Sequence, residues 1–346
     1  MQKFIMIFVT GGTGLVGAHL LFELTSAGKK VKALKRQKSN LQQVLKTFSY
    51  YSENAQNLFN QIEWVDGDIL EYFSLEKLLQ GVTEIYHCAA IISFQTKERS
   101  KMISNNVDGT ANLVNAAIEN GVAKICHVSS IAALGRLENG KPVTEETNWI
   151  PIKKISGYSE SKFFSEAEIW RGIEEGLNAV IINPSIILGP AKWENGSAKM
   201  FKKIWDGMKF YTKGVTGFVD VKDVTRAMIQ LMDESNFKTC KSQRFILNSE
   251  NLSYQNVFSQ IASELDKPKP TIFATNFLLN IVWRAATFAS RITGKPSMIT
   301  RETVANSNKI NNFDGSKITR TINFKYLPIS ESIKQTASFL KSDMQE

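Results

Sequence analysis

One short stretch constrains this chain more than any other. An apolar run, Phe4–Val9, leads without a break into Thr10-Gly-Gly-Thr-Gly-Leu-Val-Gly17, and a helical pattern then continues to about Ala27. Gly11, Gly14 and Gly17 therefore have GxxGxxG spacing between a strand and a helix. Gly11 suits the tight turn, Gly14 lets the backbone approach a pyrophosphate, and Gly17 lets the helix lie close on the strand. The helix N-terminus, with Thr13, Leu15 and Val16 around it, favours an anion. The same spacing can serve a tight turn with no ligand. The strand–turn–helix context is what makes a dinucleotide the expected occupant.

The rest of the front half repeats that rhythm. Strands are expected at Val31–Leu34, Ile62–Val65, Ile85–Cys88, Ile125–Val128 and Ala179–Ile182. Helices are expected between them at Leu75–Gln80, Met102–Asn120 and Tyr158–Glu175, with an extra one in the long 40–61 connection. Such alternation specifies an α/β fold, a parallel sheet with helices on both faces. Past residue 183 helical patterns dominate (Val224–Met232, Tyr254–Leu265, Phe277–Ile292), with short strands at Gly217–Val221 and Arg244–Leu247. The expected division is a dinucleotide-binding domain over 1–183 and a smaller, mostly helical substrate lobe over 184–346, with some later elements returning to the first domain. The lobe would fold over the carboxyl ends of the strands, where open α/β sheets bind ligands.

Composition narrows the function classes. The 346 residues carry a formal charge of +9, with 43% hydrophobic and 22% charged residues, an ordinary globular balance. Cys88, Cys126 and Cys240 have no metal-ligand spacing and fit a reducing compartment. His19, His87 and His127 sit in or beside apolar segments and read as satisfied buried histidines, so no metal site is expected. Six basic residues crowd between Lys29 and Lys38. No nucleic-acid-binding motif accompanies them, which leaves a solvated face or a phosphate site. No apolar run reaches the length of a membrane span and no signal peptide is apparent, so a cytoplasmic protein, monomer or homodimer, is expected.

Charge type also bears on the cofactor. NAD enzymes place a carboxylate at the end of the second strand, whereas here Lys35-Arg36 stands there with no acid nearby in sequence. Arg36 can grip a 2′-phosphate, so NADP(H) is favoured and NAD(H) stays possible. Asp68 either accepts from the adenine amino group, with Ile69 on the ring, or caps a helix. Ala89 and Ala90 end the fourth strand and leave room either for a cofactor or for close packing. Tyr158 and Lys162, four apart, share one helix face, and a lysine ammonium there would lower the tyrosine pKa toward the working range. Ser130, at the end of the fifth strand, either donates to a substrate oxygen or caps a local turn.

Together these residues resemble the extended short-chain dehydrogenase/reductase family, also labelled NAD-dependent epimerase/dehydratase. Asn106-Val-Asp-Gly-Thr110, Asn183-Pro-Ser-Ile-Ile-Leu-Gly-Pro190 and Phe218-Val-Asp-Val-Lys-Asp223 extend the likeness along nearly the whole chain. The resemblance implies a Rossmann-type doubly wound sheet and a catalytic set of Ser130, Tyr158 and Lys162. It also implies cofactor contacts from Asn106, Pro184 and Ile187. Ile131-Ala132-Ala133 replaces the acids that dehydratases carry after the serine. Asn183 and Ile186 replace the arginine and asparagine of sugar-nucleotide epimerases. Asn183–Pro190 and Tyr158–Glu166 look instead like the dihydroflavonol reductase and cinnamoyl-CoA reductase branch. The implied activity is reduction of a small, fairly apolar ketone or aldehyde, or oxidation of the matching alcohol, with Ile91, Ile92, Phe94 and Trp193 as candidate walls. The rivals are a sugar-nucleotide epimerase with tightly held NAD and a nucleotide-sensing binding protein. Phe277–Ile292 is interrupted by Asn280, Arg284 and Thr287, and is expected to pack its apolar face on its own lobe rather than on a membrane.

Overall fold

The computed structural model describes residues 5–93, 95, 98–135, 137, 141–149, 155–275, 277–279, 281, 283–284, 304 and 307–345. The front half is β1 (Ile7–Thr10), α1 (Leu15–Ser26), β2 (Val31–Lys35), α2 (Leu41–Ser49), α3 (Ala55–Asn60), β3 (Ile62–Asp66), α4 (Tyr72–Leu78), β4 (Glu84–His87), α5 (Arg99–Glu119), β5 (Lys124–Val128), α6 (Gly157–Glu174) and β6 (Ala179–Pro184). The 40–61 connection holds two helices where one was expected. The strands alternate their side chains between two apolar layers. Ile7 and Val9 of β1 join the core under α1, α2 and Val224 to Met232, while Phe8 joins the core under α4, α5 and α6. Burial on both faces explains why the strands read as continuous apolar runs rather than alternating ones.

The later elements are β7 (Ile186–Leu188), α7 (Ala198–Trp205), β8 (Phe210–Tyr211), β9 (Val215–Asp220), α8 (Val221–Met232), α9 (Glu234–Cys240), β10 (Gln243–Leu247), β11 (Glu250–Ser253), α10 (Tyr254–Glu264), β12 (Ile272–Phe273), α11 (Ser316–Ile322) and α12 (Ile329–Asp343). The strand expected over Gly217–Val221 stops at Asp220, because the Asp220 carboxylate accepts from the Lys222 amide at 2.7 Å and starts α8 at Val221. β10 returns to the large sheet, whose order is β10-β6-β5-β4-β1-β2-β3 with every pair parallel. The chain turns from β1 toward β2 and β3 on one side and resumes with β4 on the other. The carboxyl ends of β1 and β4 therefore flank a switch point, the place where open α/β sheets bind their ligands.

The second lobe is a three-stranded sheet, β11-β9-β7, over a core shared by α7, α10 and α12. Asp343, the last residue of α12, ties the two lobes together. It accepts from the Trp193 indole at 2.7 Å and from the Tyr50 hydroxyl at 2.5 Å, and it pairs with Lys46 at 2.9 Å. The apolar run 277–292 is described only at 277–279, 281 and 283–284. There the expectation of simple packing fails: Phe277 is 77% and Ile281 49% exposed, while Leu278 and Leu279 are half-buried. With four-residue spacing Phe277 and Ile281 share a helical stripe that faces away from the lobe.

Candidate active site

The three glycines of the first turn differ in what holds them. Gly11 has φ +70°, and a Cβ there would lie 2.6 Å from the backbone of Cys88 and Ala89. A Cβ on Gly17 would lie 2.2 Å from the Gly11 carbonyl oxygen. The packing of β1, β4 and α1 therefore demands both. Gly14 is different: it has ordinary extended angles, lies exposed, and a Cβ would meet only the Gly11 oxygen at 3.4 Å. The fold itself does not need glycine there, whereas a ligand drawn close to the backbone does. Gly14 is also the N-cap of α1, no side chain caps that end, and its first turn has no acid. Free N–H groups and the helix dipole at a bare backbone fit a pyrophosphate.

At the ribose end the fold supplies what the sequence conceals. Asp66, opposite Lys35 in the β2–β3 register, pairs with it at 2.6 Å. An acid is thus beside Lys35 after all, and it offsets that charge; Arg36 stands exposed in a turn closed by Ser39. Asp68 caps no helix, since α4 starts at Tyr72; its carboxylate accepts from the Leu70 amide at 3.1 Å. Ile69 presses on α5 at Gly109, where a Cβ would lie 2.5 Å away. Asn106, expected to meet the cofactor, has its amide fully engaged. It accepts from the Ile91 amide at 2.7 Å and donates to the Ile91 carbonyl at 2.9 Å and to Ser161 at 3.2 Å. It clamps the loop after β4, with half-buried Ala89 and Ala90, onto α6.

The reactive candidates converge at the ends of β5 and α6. Ser156 caps α6 by accepting from the Ser159 amide at 3.0 Å, which places Tyr158 in the first turn. Gly157 lets that turn lie against Arg99 of α5. The Tyr158 hydroxyl is hydrogen-bonded to Ser130, and burial raises its pKa while that bond lowers it. Ser130 also accepts from the Ala132 amide at 3.1 Å, so both anticipated roles, partner and turn cap, fall on one hydroxyl. Lys162 is buried and donates to the Val128 carbonyl at 2.9 Å. Burial pushes it down to about 8, opposed by Cys88 and Glu166. The expected depression of Tyr158 by Lys162 is not what dominates: desolvation does, and the phenol stays protonated at neutral pH.

Behind these groups lies a network that the motifs did not reveal. The buried Glu166 carboxylate accepts from Ser129 at 2.6 Å, Asn183 at 2.7 Å, Trp170 at 3.2 Å and Arg244 of β10 at 3.1 Å. Asn183 also donates to the Ser130 carbonyl at 3.1 Å. A signal existed: Glu166 follows Lys162 by four residues and so shares its buried helix face. Beside it, His87 bonds Thr10 at 2.7 Å and Thr110 at 3.1 Å. His127, 5.1 Å away ring to ring, is buried with neither ring nitrogen partnered, unlike the satisfied histidine expected.

Of the candidate substrate walls, Ile91 is half-buried and Ile92 exposed, and Phe94 lies outside the described residues. Trp193 does not line the crevice: it is buried in the second-lobe core against Phe201, with its indole held by Asp343. Pro184 is buried at the end of β6, and Ile187 of β7 is half-buried against the main core.

Residues 7–242 match the model of the NAD dependent epimerase/dehydratase family. The chain belongs to this family. It is an NAD(P)-dependent oxidoreductase of the extended short-chain dehydrogenase/reductase type. Similar proteins include one from Synechocystis sp. named for dihydroflavonol 4-reductase, 31% identical over 76% of this chain and 73% of that one. Sterol demethylase protein B of Methylococcus capsulatus is 27% identical over 76% of each. Cinnamoyl-CoA reductase 1 of Petunia hybrida is 26% identical over 77% and 79%. Among solved structures, gox2253 superposes with a TM-score of 0.78 at 26% identity, covering 98% of both chains. DesIV, a dTDP-glucose 4,6-dehydratase from Streptomyces venezuelae with NAD bound, reaches 0.74 at 19% identity over 99% and 98%, a likeness of fold.

Proposed function

We propose that the chain is an NADP(H)-dependent reductase, or in reverse a dehydrogenase, acting on a ketone or aldehyde of a small, fairly apolar molecule. The observation that carries this reading is the protonated Tyr158 phenol hydrogen-bonded to Ser130 at the carboxyl end of β5. Gly11, Gly14, Gly17 and the α1 N-terminus would hold the pyrophosphate, Arg36 the 2′-phosphate, and Pro184 and Ile187 would border the nicotinamide. When bound, the nicotinamide supplies a hydride to the carbonyl carbon. The Ser130 hydroxyl donates to the carbonyl oxygen and withdraws charge from it. Tyr158 gives its proton to that oxygen as negative charge develops, so the carbonyl ends as an alcohol. Lys162, largely charged below pH 8, favours the phenolate left behind.

Two features of the site favour reduction over the family's other reactions. Ile131–Ala133 forms a single 3-10 turn after Ser130 and offers no carboxylate to take an α-proton. Asn183 spends its amide on Ser130 and Glu166 and has none left to donate to a sugar nucleotide. The similar proteins named for dihydroflavonol, cinnamoyl-CoA and sterol chemistry support a ring-bearing, largely apolar substrate. The test is a screen of dihydroflavonols, cinnamoyl thioesters and 3-ketosteroids with NADPH and with NADH, following loss of the reduced nicotinamide absorbance. Turnover of at least one class, faster with NADPH, is expected. No turnover, together with interconversion of a UDP-sugar by cofactor retained through purification, would overturn the reading.

A further inference from the structure

We propose that one end of the second lobe, built on the β8–β12 ribbon, docks onto an anionic lipid bilayer. Phe210 and Ile272 are register partners in that ribbon, so their side chains point to the same side. Residues 307–310 are stitched beside it: the Gly214 amide donates to the Ser307 carbonyl at 3.1 Å, and the Lys213 amide to the Asn308 side chain at 3.1 Å. The helical residues 277–279 follow directly, the Leu279 amide donating to the Thr275 carbonyl at 2.9 Å. Each of these three segments exposes large apolar side chains: Phe210, Ile272, Phe277, Ile281 and Ile310 are between 43% and 77% exposed. Isolated exposed apolar residues need no explanation, whereas five on three adjoining segments mark a contact surface.

The charge around them selects the occupant. Lys209, Lys213, Lys269 and Lys309 are exposed on the same segments, and none is in an ion pair among the described residues. Asp206 and Asp266, the acids that flank the ribbon in sequence, are held by Lys202 and Lys341. Exposed Arg284 lies on the helical stripe of Phe277 and Ile281. From Lys267 to Arg301 the sequence has six basic residues and no acid. Apolar side chains to enter the acyl boundary, with the exposed Lys209, Lys213, Lys269 and Lys309 beside them for the headgroups, match the chemistry of an anionic membrane surface. No helix among the described residues is long and apolar enough to cross a membrane, so the contact is one of lying on the surface.

The experiment is flotation of the full chain with phosphatidylcholine vesicles containing phosphatidylglycerol, against phosphatidylcholine alone, at physiological salt. Binding to the anionic vesicles is expected. Phe277→Ser with Ile281→Ser should weaken it about ten-fold or more, since two large apolar groups lose their insertion. Lys209→Gln, Lys213→Gln and Lys309→Gln together should weaken it several-fold and flatten its salt dependence. All these residues are exposed, and an unchanged thermal unfolding midpoint shows that the variants fold. Failure to float, equal flotation on neutral vesicles, or flotation unchanged in both variants overturns the proposal. A concentration-dependent dimer that the Ser variant abolishes, with no vesicle binding, overturns it in favour of a second copy of the chain. None of these outcomes depends on the carbonyl screen.

Discussion

The two ends of the proposed nucleotide site are built in opposite ways. At the β5–α6 end the reactive groups are withdrawn from water and held in place: half-buried Tyr158 on Ser130, buried Lys162 on the Val128 carbonyl, and buried Glu166 on four donors from the end of β5, β6, α6 and β10. At the β2–β3 end the cations stand at the surface, one paired with Asp66 and the other free to turn. Rigid, dehydrated groups suit a reaction that must be aimed, because electrostatic interactions are strongest where water is excluded and nothing need reorganise. An exposed arginine suits a cofactor that arrives and leaves, since solvent screens its charge and little is lost when it is vacant. Substitutions at the first end should therefore act on rate and stability together, and those at the second on cofactor affinity alone.

The sharpest test of that contrast is Tyr158→Phe. Turnover should fall about 1000-fold, the contribution of a positioned general acid, while NADP+ affinity by calorimetry stays within a factor of a few. A variant that keeps full activity would remove the proposed chemistry from this end. Next in size is Glu166→Ala, which leaves Arg244 without its carboxylate and Ser129 and Asn183 without their acceptor. A loss of about 3–5 kcal/mol in urea-unfolding free energy is expected for a buried pair broken on one side. Glu166→Gln keeps a neutral acceptor and should recover part of it. A loss below about 1 kcal/mol in the alanine variant would mean that the network does not brace the site.

The dry character of the same end has a pH signature. Burial holds His127 well below its usual pKa, so the folded chain keeps it neutral while the unfolded chain protonates it below about 6.5. The unfolded state then binds more protons, and stability falls as pH drops through that range by ~1.4 kcal/mol per unit for this group. His87, lowered to about 3, and His19, lowered to about 4, act in the same direction, whereas Asp223, raised by burial to about 6, opposes them. Comparison with His127→Phe isolates the one group: between pH 7 and pH 5 its unfolding free energy should fall by about 2 kcal/mol less than that of the natural chain. Parallel pH profiles would show that water reaches His127.

The same contrast explains how much could be read before the structure. Local signals were legible because they are covalent neighbours: the Gly11–Gly17 turn, the Tyr158–Lys162 pair, and the apolar runs of strands buried on both faces. What escaped depends on register and tertiary contact. Asp66 is 31 residues from Lys35 in sequence and is brought beside it only by the β2–β3 pairing. Arg244 belongs to a strand that crosses back from the second half to edge the sheet next to β6. Trp193 reads as a wall because it is an aromatic in a loop, whereas its indole is held by Asp343, 150 residues away in sequence. Glycine chemistry alone also could not separate Gly14 from its neighbours; the contrast needs the distance from each absent Cβ to the nearest atom.

The smallest predicted effect lies at the open end and decides between two adjacent cations. Lys35 is already offset by Asp66, and its ammonium would have to leave that carboxylate to meet a 2′-phosphate. Arg36 has no such competitor among the described residues, and its planar fork matches a phosphate bidentately. Arg36→Ala should therefore weaken NADP+ about ten-fold and NAD+ hardly at all, and raising the salt should narrow the difference between natural chain and variant, because the contact is exposed. Lys35→Ala should cost only two- to three-fold, a difference of about 0.5 kcal/mol, as expected when one surface ion pair is exchanged for another. Asp66→Asn should move the balance the other way and tighten NADP+, since it releases Lys35 and removes a like charge near the phosphate. If calorimetry finds Lys35→Ala more damaging than Arg36→Ala, then Lys35 exchanges Asp66 for the phosphate on binding. The β2–β3 end would then be a switched ion pair rather than an open one.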